Sequence, residues 1–447
     1  MAASIASFVV FIIGLLPTLI TAQAAFAHVI VGNTGAYDIN QWKSDIQLAA
    51  QYGIDGFVLN IAPPFSGSTS TQMSYAFQAA NALSSLNFKM FFSFDYLGGG
   101  QPWASSDIIT ILKAYGPNGA HYQVNGKPMV STFEGTSNIN DWNSIRSSVP
   151  GGIYFVPDWT SLGPNGFSSS IVDGAFSWDM WPNGPNNIST SSDQAWENFL
   201  KPAGKSYMMG VSPWFYTDLP GYNKAWVWRG DDMWYRRWQQ TLDILPDFVE
   251  IVTWNDFGES HYIGPIYASG IPSASNADAR PYVNGFPHQA WLATLPYQIA
   301  AYKHAKNSAK PAPSVPAGGD KVVFWYRTAP ASAGSTDATG NDCKSSINTG
   351  GYQTCYPIPQ MLEDGVFAIV LVANSATATI KIGSNAATTF TGLKPGINFI
   401  SRPFNGQLGA VTVSVSSGAS ATGPAIVSSP SSGKANYNAW AGCAGSC

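Results

Sequence analysis

The stretch FVEIVTWND, residues 248–256, decides the fold. It opens as a short apolar run and closes on a carboxylate. Seven runs of the same kind precede it: HVIVGNT (28–34), GFVLNI (56–61), KMFFSFD (89–95), KPMVSTFE (127–134), IYFVPDW (153–159), GAFSWDMW (174–181) and SYMMGVSPWFY (206–216). Between them lie segments such as NQWKSDIQLAAQYG (40–53) and TQMSYAFQAANALSSL (71–86), with apolar residues at helical spacing. Strands that are apolar throughout and separated by helices make a parallel sheet covered on both faces. Eight such units predict an α/β fold, a (β/α)8 TIM barrel over residues 25–305, ending with a helix around His288 to Ala305.

The texture then changes. KNSAKPAPSVPAGGD (306–320) is a Pro/Ala/Gly linker. Beyond it KVVFWYR, GVFAIVLVAN, ATATIKIG, GINFISRPF and AVTVSVSS are short and β-branched or alternating. They predict a C-terminal all-β, sandwich-like domain over 321–447, docked as support and ending in a low-complexity, cysteine-bearing tail.

The 447 residues carry a net charge of -4, only 11 % charged residues, and 13 % aromatics including 16 Trp. Lys and Arg are scattered, so no basic patch for nucleic acid exists. A surface of hydroxyls, amides and aromatics suits a neutral glycan. FVVFIIGLLPTLI (8–20) is too short to span a membrane, and Ala22-Gln23-Ala24 offers a cleavage site. The expectation is a signal peptide over 1–24, a mature terminus near Ala25 to His28, and a secreted, extracellular or wall-located monomer without a membrane partner. The four cysteines suit an oxidising compartment; proximity favours Cys343–Cys355 and Cys443–Cys447. Asn187-Ile188-Ser189 is a glycosylation sequon.

In such barrels chemistry sits at the C-terminal strand ends. Those ends are acidic here: Asp95, Glu134, Asp158, Asp179 and Asp256, with Asp218 and Glu259 just beyond. Tyr96, Trp159, Trp178, Trp181, Trp214, Tyr216 and Trp254 are interleaved with them. Carboxylates bond sugar hydroxyls, aromatic faces stack on pyranose C–H faces, and paired carboxylates cleave glycosidic bonds. A lone strand-end Asp is more often a cap, and a lone Trp more often core. The cluster WNDFGESHY (254–262) stands apart because Asp256 and Glu259 lie three residues apart, with Gly258 permitting a turn that faces both one way. Asn255, His261 and Tyr262 complete it as hydroxyl binders or as residues that orient an acid. There is no phosphate loop in LGGGQPW (97–103), no G-x-S-x-G and no H-E-x-x-H. Neither a metal nor a cofactor is expected.

WNDFGESHYIGP, HVIVGNT, GIDGFVLNI, FSFD, GDDMWYRRW and NYNAW, in that combination, resemble fungal glycoside hydrolase family 71, the α-1,3-glucanases or mutanases. The resemblance covers His28 to Ala305 and extends weakly through the β domain. It implies hydrolysis of α-1,3-glucan with inversion, and maps the family's paired acids onto Asp256 and Glu259. Reach favours Glu259 as general acid, its pKa raised by neighbouring rings, with Asp256 activating water and Asp158 or Asp179 as rival bases. A hydrolase of another linkage and a non-catalytic wall-glycan-binding barrel are the alternatives.

Overall fold

A computed structural model describes residues 23–334, 356–430 and 435–447. Eight parallel strands form one curled sheet: β1 Ala24–Ile30, β2 Gly56–Ile61, β3 Lys89–Asp95, β4 Lys127–Phe133, β5 Tyr154–Phe155, β6 Gly174–Ser177, β7 Ser206–Val211 and β8 Phe248–Ile251. Their order is β5-β4-β3-β2-β1-β8-β7-β6. The two outer strands approach one another at Asp158, which bridges Phe133 on one side and Phe176 on the other.

The uniform apolarity of the strands has a direct cause. Phe26, Val58, Phe91, Met129, Val156, Phe176, Met208 and Phe248 form part of one cluster on the concave face, one residue from each strand or its immediate continuation. Alternate residues such as Ala27, Leu59, Phe92 and Val249 face outward. There they meet helices α1 Ile39–Gln51, α2 Gly67–Ala82, α3 Ser105–Tyr115 and α4 Asp141–Ser148. Both faces are thus buried, as a parallel sheet requires. Helix α1 starts where Asp38 accepts from the Asn40 and Gln41 N–H groups while the Gln41 side chain accepts from the Asp38 N–H. Helices α5 Ser191–Leu200, α6 Met233–Ile244 and α7 Leu295–Lys306 follow β6, β7 and β8.

Several boundaries differ from expectation. Strand β1 starts at Ala24, four residues before the HVIVGNT run, and Ala24 pairs with Phe248. A terminus at His28 would strip away the β1 half of the pairing with β8. Strands β5 to β8 end early, so Asp158, Asp179, Trp214 and Asp256 lie in the loops beyond them. No helix follows β5 among the described residues; Trp159 and Phe167, ring centroids 5.0 Å apart, fill that flank instead. Beyond β7 the chain forms a hairpin, Tyr216–Leu219 against Lys224–Val227, where past Tyr216 the sequence offered no strand-like run. No helix of the described residues is long and apolar enough to cross a membrane.

The C-terminal region is two antiparallel sheets. One comprises β9 Lys321–Tyr326, β10 Gly365–Val372, β13 Gly396–Pro403 and β16 Trp440–Gly445, in the order β13-β10-β9-β16. The other comprises β11 Ala376–Ile382, β12 Thr388–Leu393, β14 Gly409–Val415 and β15 Ser420–Ile426, in the order β12-β11-β14-β15. Val322, Phe324, Val366, Val370, Ile380 and Val413 pack between the sheets. The alternate residues Val323, Trp325, Phe367, Ile369 and Leu371 pack into the core of the α/β domain. Cys443 and Cys447 form the expected bridge, with Cα atoms 6.2 Å apart; Cys343 and Cys355 lie outside the described residues.

Candidate active site

Past Ile251 the chain leaves the sheet, and its side chains diverge. Trp254 turns outward: it is buried, tilted 5.1 Å from Phe57, and donates its indole N–H to Asp45 Oδ2 on α1 at 3.0 Å. Asn255 is a structural fastener. Its Oδ1 accepts from Ile30 N at 2.8 Å and its Nδ2 donates to Ile30 O at 3.0 Å, prolonging the β8–β1 ladder by a side chain. Neither is free to meet a sugar.

Asp256, Glu259 and His261 do converge. One carboxylate oxygen of each acid and a ring nitrogen of His261 lie within 4.8 Å of one another. The turn expected at Phe257-Gly258 exists, closed by the Glu259 N–H on Asp256 Oδ1 at 3.0 Å. Glu259 Oε1 is 2.7 Å from Lys224 Nζ on the hairpin, and Oε2 is 3.0 Å from His261 Nε2. Thr253 Oγ1 accepts from the Asp256 N–H at 2.8 Å and lies 3.1 Å from His261 Nδ1. All of these bonds are satisfied when Thr253 donates to Nδ1 and Nε2–H donates to Glu259. Such a gathering would also suit a divalent cation, but the Lys224 ammonium already supplies positive charge to Glu259.

The two acids are driven apart in protonation. Burial, then the Glu259 charge, pushes Asp256 up from the usual carboxylate range. Burial would raise Glu259 too, but the Lys224 ammonium and the hydrogen bond from His261 outweigh it and hold Glu259 well below that range. The expected raising of Glu259 is therefore reversed: the decisive neighbour is a cation from a distant hairpin, not an aromatic ring.

Aromatic faces lie beside this group. Trp181 stacks on Trp228 at 4.9 Å and 17°, and sits 5.4 Å from the His261 ring. Trp178 is half-buried, 6.4 Å from Trp181 and edge-on to His28 at 5.2 Å. Trp228 was missed from sequence because it lies outside the eight apolar runs. Lys224 was missed because nothing local links it to Glu259. His28, 2.6 Å from Glu250 and fully buried in the strand layer, was hidden inside an apolar run.

The remaining candidates do not join the group. Tyr96, Trp159, Trp214, Tyr216 and Tyr262 are buried in packing. The Trp214 indole donates to Tyr437 O at 2.9 Å, and the Tyr262 hydroxyl to Phe286 O at 2.6 Å. Asp95 caps its own turn, accepting from Leu97 N and Gly98 N at 2.8 Å each. Glu134 holds Ser161 through its backbone and hydroxyl. Asp158 is fully buried, bonded to Thr160, and pushed far up by that burial. Asp179 accepts from Ser192 at the start of α5 at 2.6 Å. As rival bases the last two are poorly placed: one is sealed in and the other serves a helix. Asn187 is exposed.

Comparison with known proteins agrees with the motif reading. The family described as Glycosyl hydrolase family 71 matches residues 21–446. The chain is 36 % identical over 436 residues to "Glucan endo-1,3-alpha-glucosidase agn1" of Schizosaccharomyces pombe, covering 93 % of both chains. It is 35 % identical to "Mutanase Pc12g07500" of Penicillium rubens, covering 81 % of this chain and 75 % of that one. Among solved structures, a GH99 endo-alpha-mannosidase from Bacteroides thetaiotaomicron aligns at 11 % identity with a TM-score of 0.47, covering 64 % of this chain and 98 % of that one.

Proposed function

Since the chain belongs to glycosyl hydrolase family 71, we propose that it hydrolyses α-1,3-glucosidic bonds of glucan at the C-terminal edge of the curled sheet. We read that sheet as a (β/α)8 barrel, with its seam at Asp158, that lacks the helix after β5. The observation that carries the mechanism is the asymmetric carboxyl pair. Asp256 tends to keep its proton, and Glu259 is kept ionised by Lys224 and His261. Asp256 then protonates the glycosidic oxygen, and Glu259 removes a proton from the attacking water. This exchanges the roles favoured from side-chain length alone. Trp228, half-buried and backed by the buried Trp181, supplies stacking area beside the pair. Substrate specificity for α-1,3-glucan rests on the relatives at over a third identity.

Inversion, which the family resemblance implies, requires carboxyls ~6.5–9.5 Å apart so that water fits between base and sugar. The closest oxygens here lie within 4.8 Å. On this reading the pair opens when sugar enters, and the hairpin carrying Lys224 yields with it. The experiment is NMR of the first product released from a panel of α- and β-glucans. The β-anomer from α-1,3-glucan is the expected result. An initial α-anomer would mean that the pair acts at its closed spacing with retention, and preference for another linkage would overturn the substrate reading.

We also propose that the mature protein lies outside the cell, with its first residue near Ala25, early enough to keep the pairs of Ala25, Phe26 and Ala27 with β8. Terminal sequencing of secreted protein tests this; finding Met1 there would refute it.

A further inference from the structure

The tail segment 435–439 contains no ionisable side chain able to do acid–base work near neutral pH, yet its polar atoms converge on the supports of the carboxyl pair. Asn438 is fully buried and donates to Tyr282 O at 2.9 Å and to the Tyr262 hydroxyl at 3.3 Å. The Tyr282 hydroxyl donates in turn to Gly258 O at 2.7 Å. Gly258 is the middle of the turn that sets the separation of Asp256 and Glu259. The tail carbonyls of Tyr437 and Ala435 accept from Trp214 and Tyr216 at the base of the hairpin. That hairpin delivers Lys224 to Glu259, and the Tyr216 N–H also bonds Glu259 O at 3.1 Å.

We propose that Asn438 and Tyr282 are positioning residues for the Asp256–Glu259 turn, so that the C-terminal tail is part of the active-site scaffold. The inference rests on reading Asp256 and Glu259 as the hydrolytic pair. Its physical basis is that both acids hang from one short turn whose central carbonyl is held by a single hydroxyl, and that hydroxyl belongs to a residue gripped by the tail. A misplacement of about 1 Å at reacting groups costs up to ~10²-fold in rate.

The test uses the full-length protein with Tyr282→Phe, which deletes one oxygen, and Asn438→Ser, which deletes both donated bonds. Rates are measured on a soluble α-1,3-gluco-oligosaccharide across pH, alongside thermal melting. For both variants kcat should fall about tenfold or more with KM within about twofold, and the limbs of the pH–rate profile should move. The profile must respond because the Glu259 N–H on Asp256 depends on the turn; a role confined to stability would leave the limbs in place. Folded variants with normal kcat and limbs would overturn the proposal. If Asn438→Ser does not fold, Tyr282→Phe decides alone. Asp256→Asn is run in parallel: near-normal activity there would sink the reading of the pair itself. An inactive Asp256→Asn beside an unaffected Tyr282→Phe would sink only the positioning role.

Discussion

Glu259 shows how one contact redirects a side chain's chemistry. A carboxylate largely screened from water beside rings would be pushed toward neutrality; an ammonium at 2.7 Å reverses that. Replacing the cation gives a signed prediction. In Lys224→Met the Glu259 pKa rises, so the acid limb of the activity profile moves to higher pH while the alkaline limb, set by Asp256, moves less. A profile identical to that of the unaltered protein would show that Lys224 does not control the base. Asp256→Asn and Glu259→Gln should each lower kcat/KM by at least ~10²-fold, the usual scale for acid–base groups, with melting temperatures little changed. Because Lys224 supplies the positive charge at Glu259, hydrolysis is expected to survive exhaustive chelation. Loss of activity that added divalent metal restores would refute that.

At the scale of elements, the end of β8 is held by side chains imitating secondary structure. Asn255 occupies the place a strand residue would take beside Ile30. Asn255→Ala takes the partner from the N–H and the C=O of half-buried Ile30, at ~1–3 kcal/mol for each such group that water does not reach. The urea midpoint should therefore fall by ~2 kcal/mol equivalent with an unchanged m-value. Helix α1 carries a second device. Asp45 lies buried beneath Trp254 and Tyr267, and burial pushes its pKa from 3.8 to about 7. The folded state then holds a proton that the unfolded chain has lost, so stability present below pH 3.8 is lost as pH rises to about 7. Asp45→Asn keeps an acceptor for the Trp254 indole and removes the titration. It should melt above the unaltered protein at pH 8 and close to it at pH 4. Equal melting temperatures at pH 8 would contradict the buried charge. These two positions also explain two misreadings. Trp254 and Asn255 share a stretch with Asp256 and Glu259, but past Ile251 the chain has left the sheet, and only packing decides which side chains turn inward.

Across the whole molecule, the sandwich and the α/β domain share a core. Strand β9 sends Val322 and Phe324 into the sandwich and Val323 and Trp325 into its neighbour, and the Trp325 indole donates to Asp231 O at 2.7 Å. Removing the sandwich exposes that face and unpairs the tail from the hairpin. A chain ending at Asp320 is therefore expected to yield little soluble, cooperatively melting protein. A truncated protein with a sharp melt and normal activity would contradict both the shared core and the scaffold role of the tail.

Several features were legible in the residues alone: eight apolar runs with helices between most of them, a β-rich C-terminal region, the Cys443–Cys447 bridge, and the acids and imidazole of WNDFGESHY. They are readable because periodicity, turn residues and short spacings are local, and local backbone geometry follows from them. The tertiary structure alone decided which aromatics are sealed in packing, which carboxyl is pushed up and which is held down, and where NYNAW packs. Those outcomes depend on pairs far apart along it: Lys224 with Glu259 at 35 residues, Trp254 with Asp45 at 209, and Asn438 with Tyr282 at 156. A pKa or an exposure is set by whatever occupies the adjoining few ångströms, and in this fold those neighbours come from other turns of the sheet and from the tail.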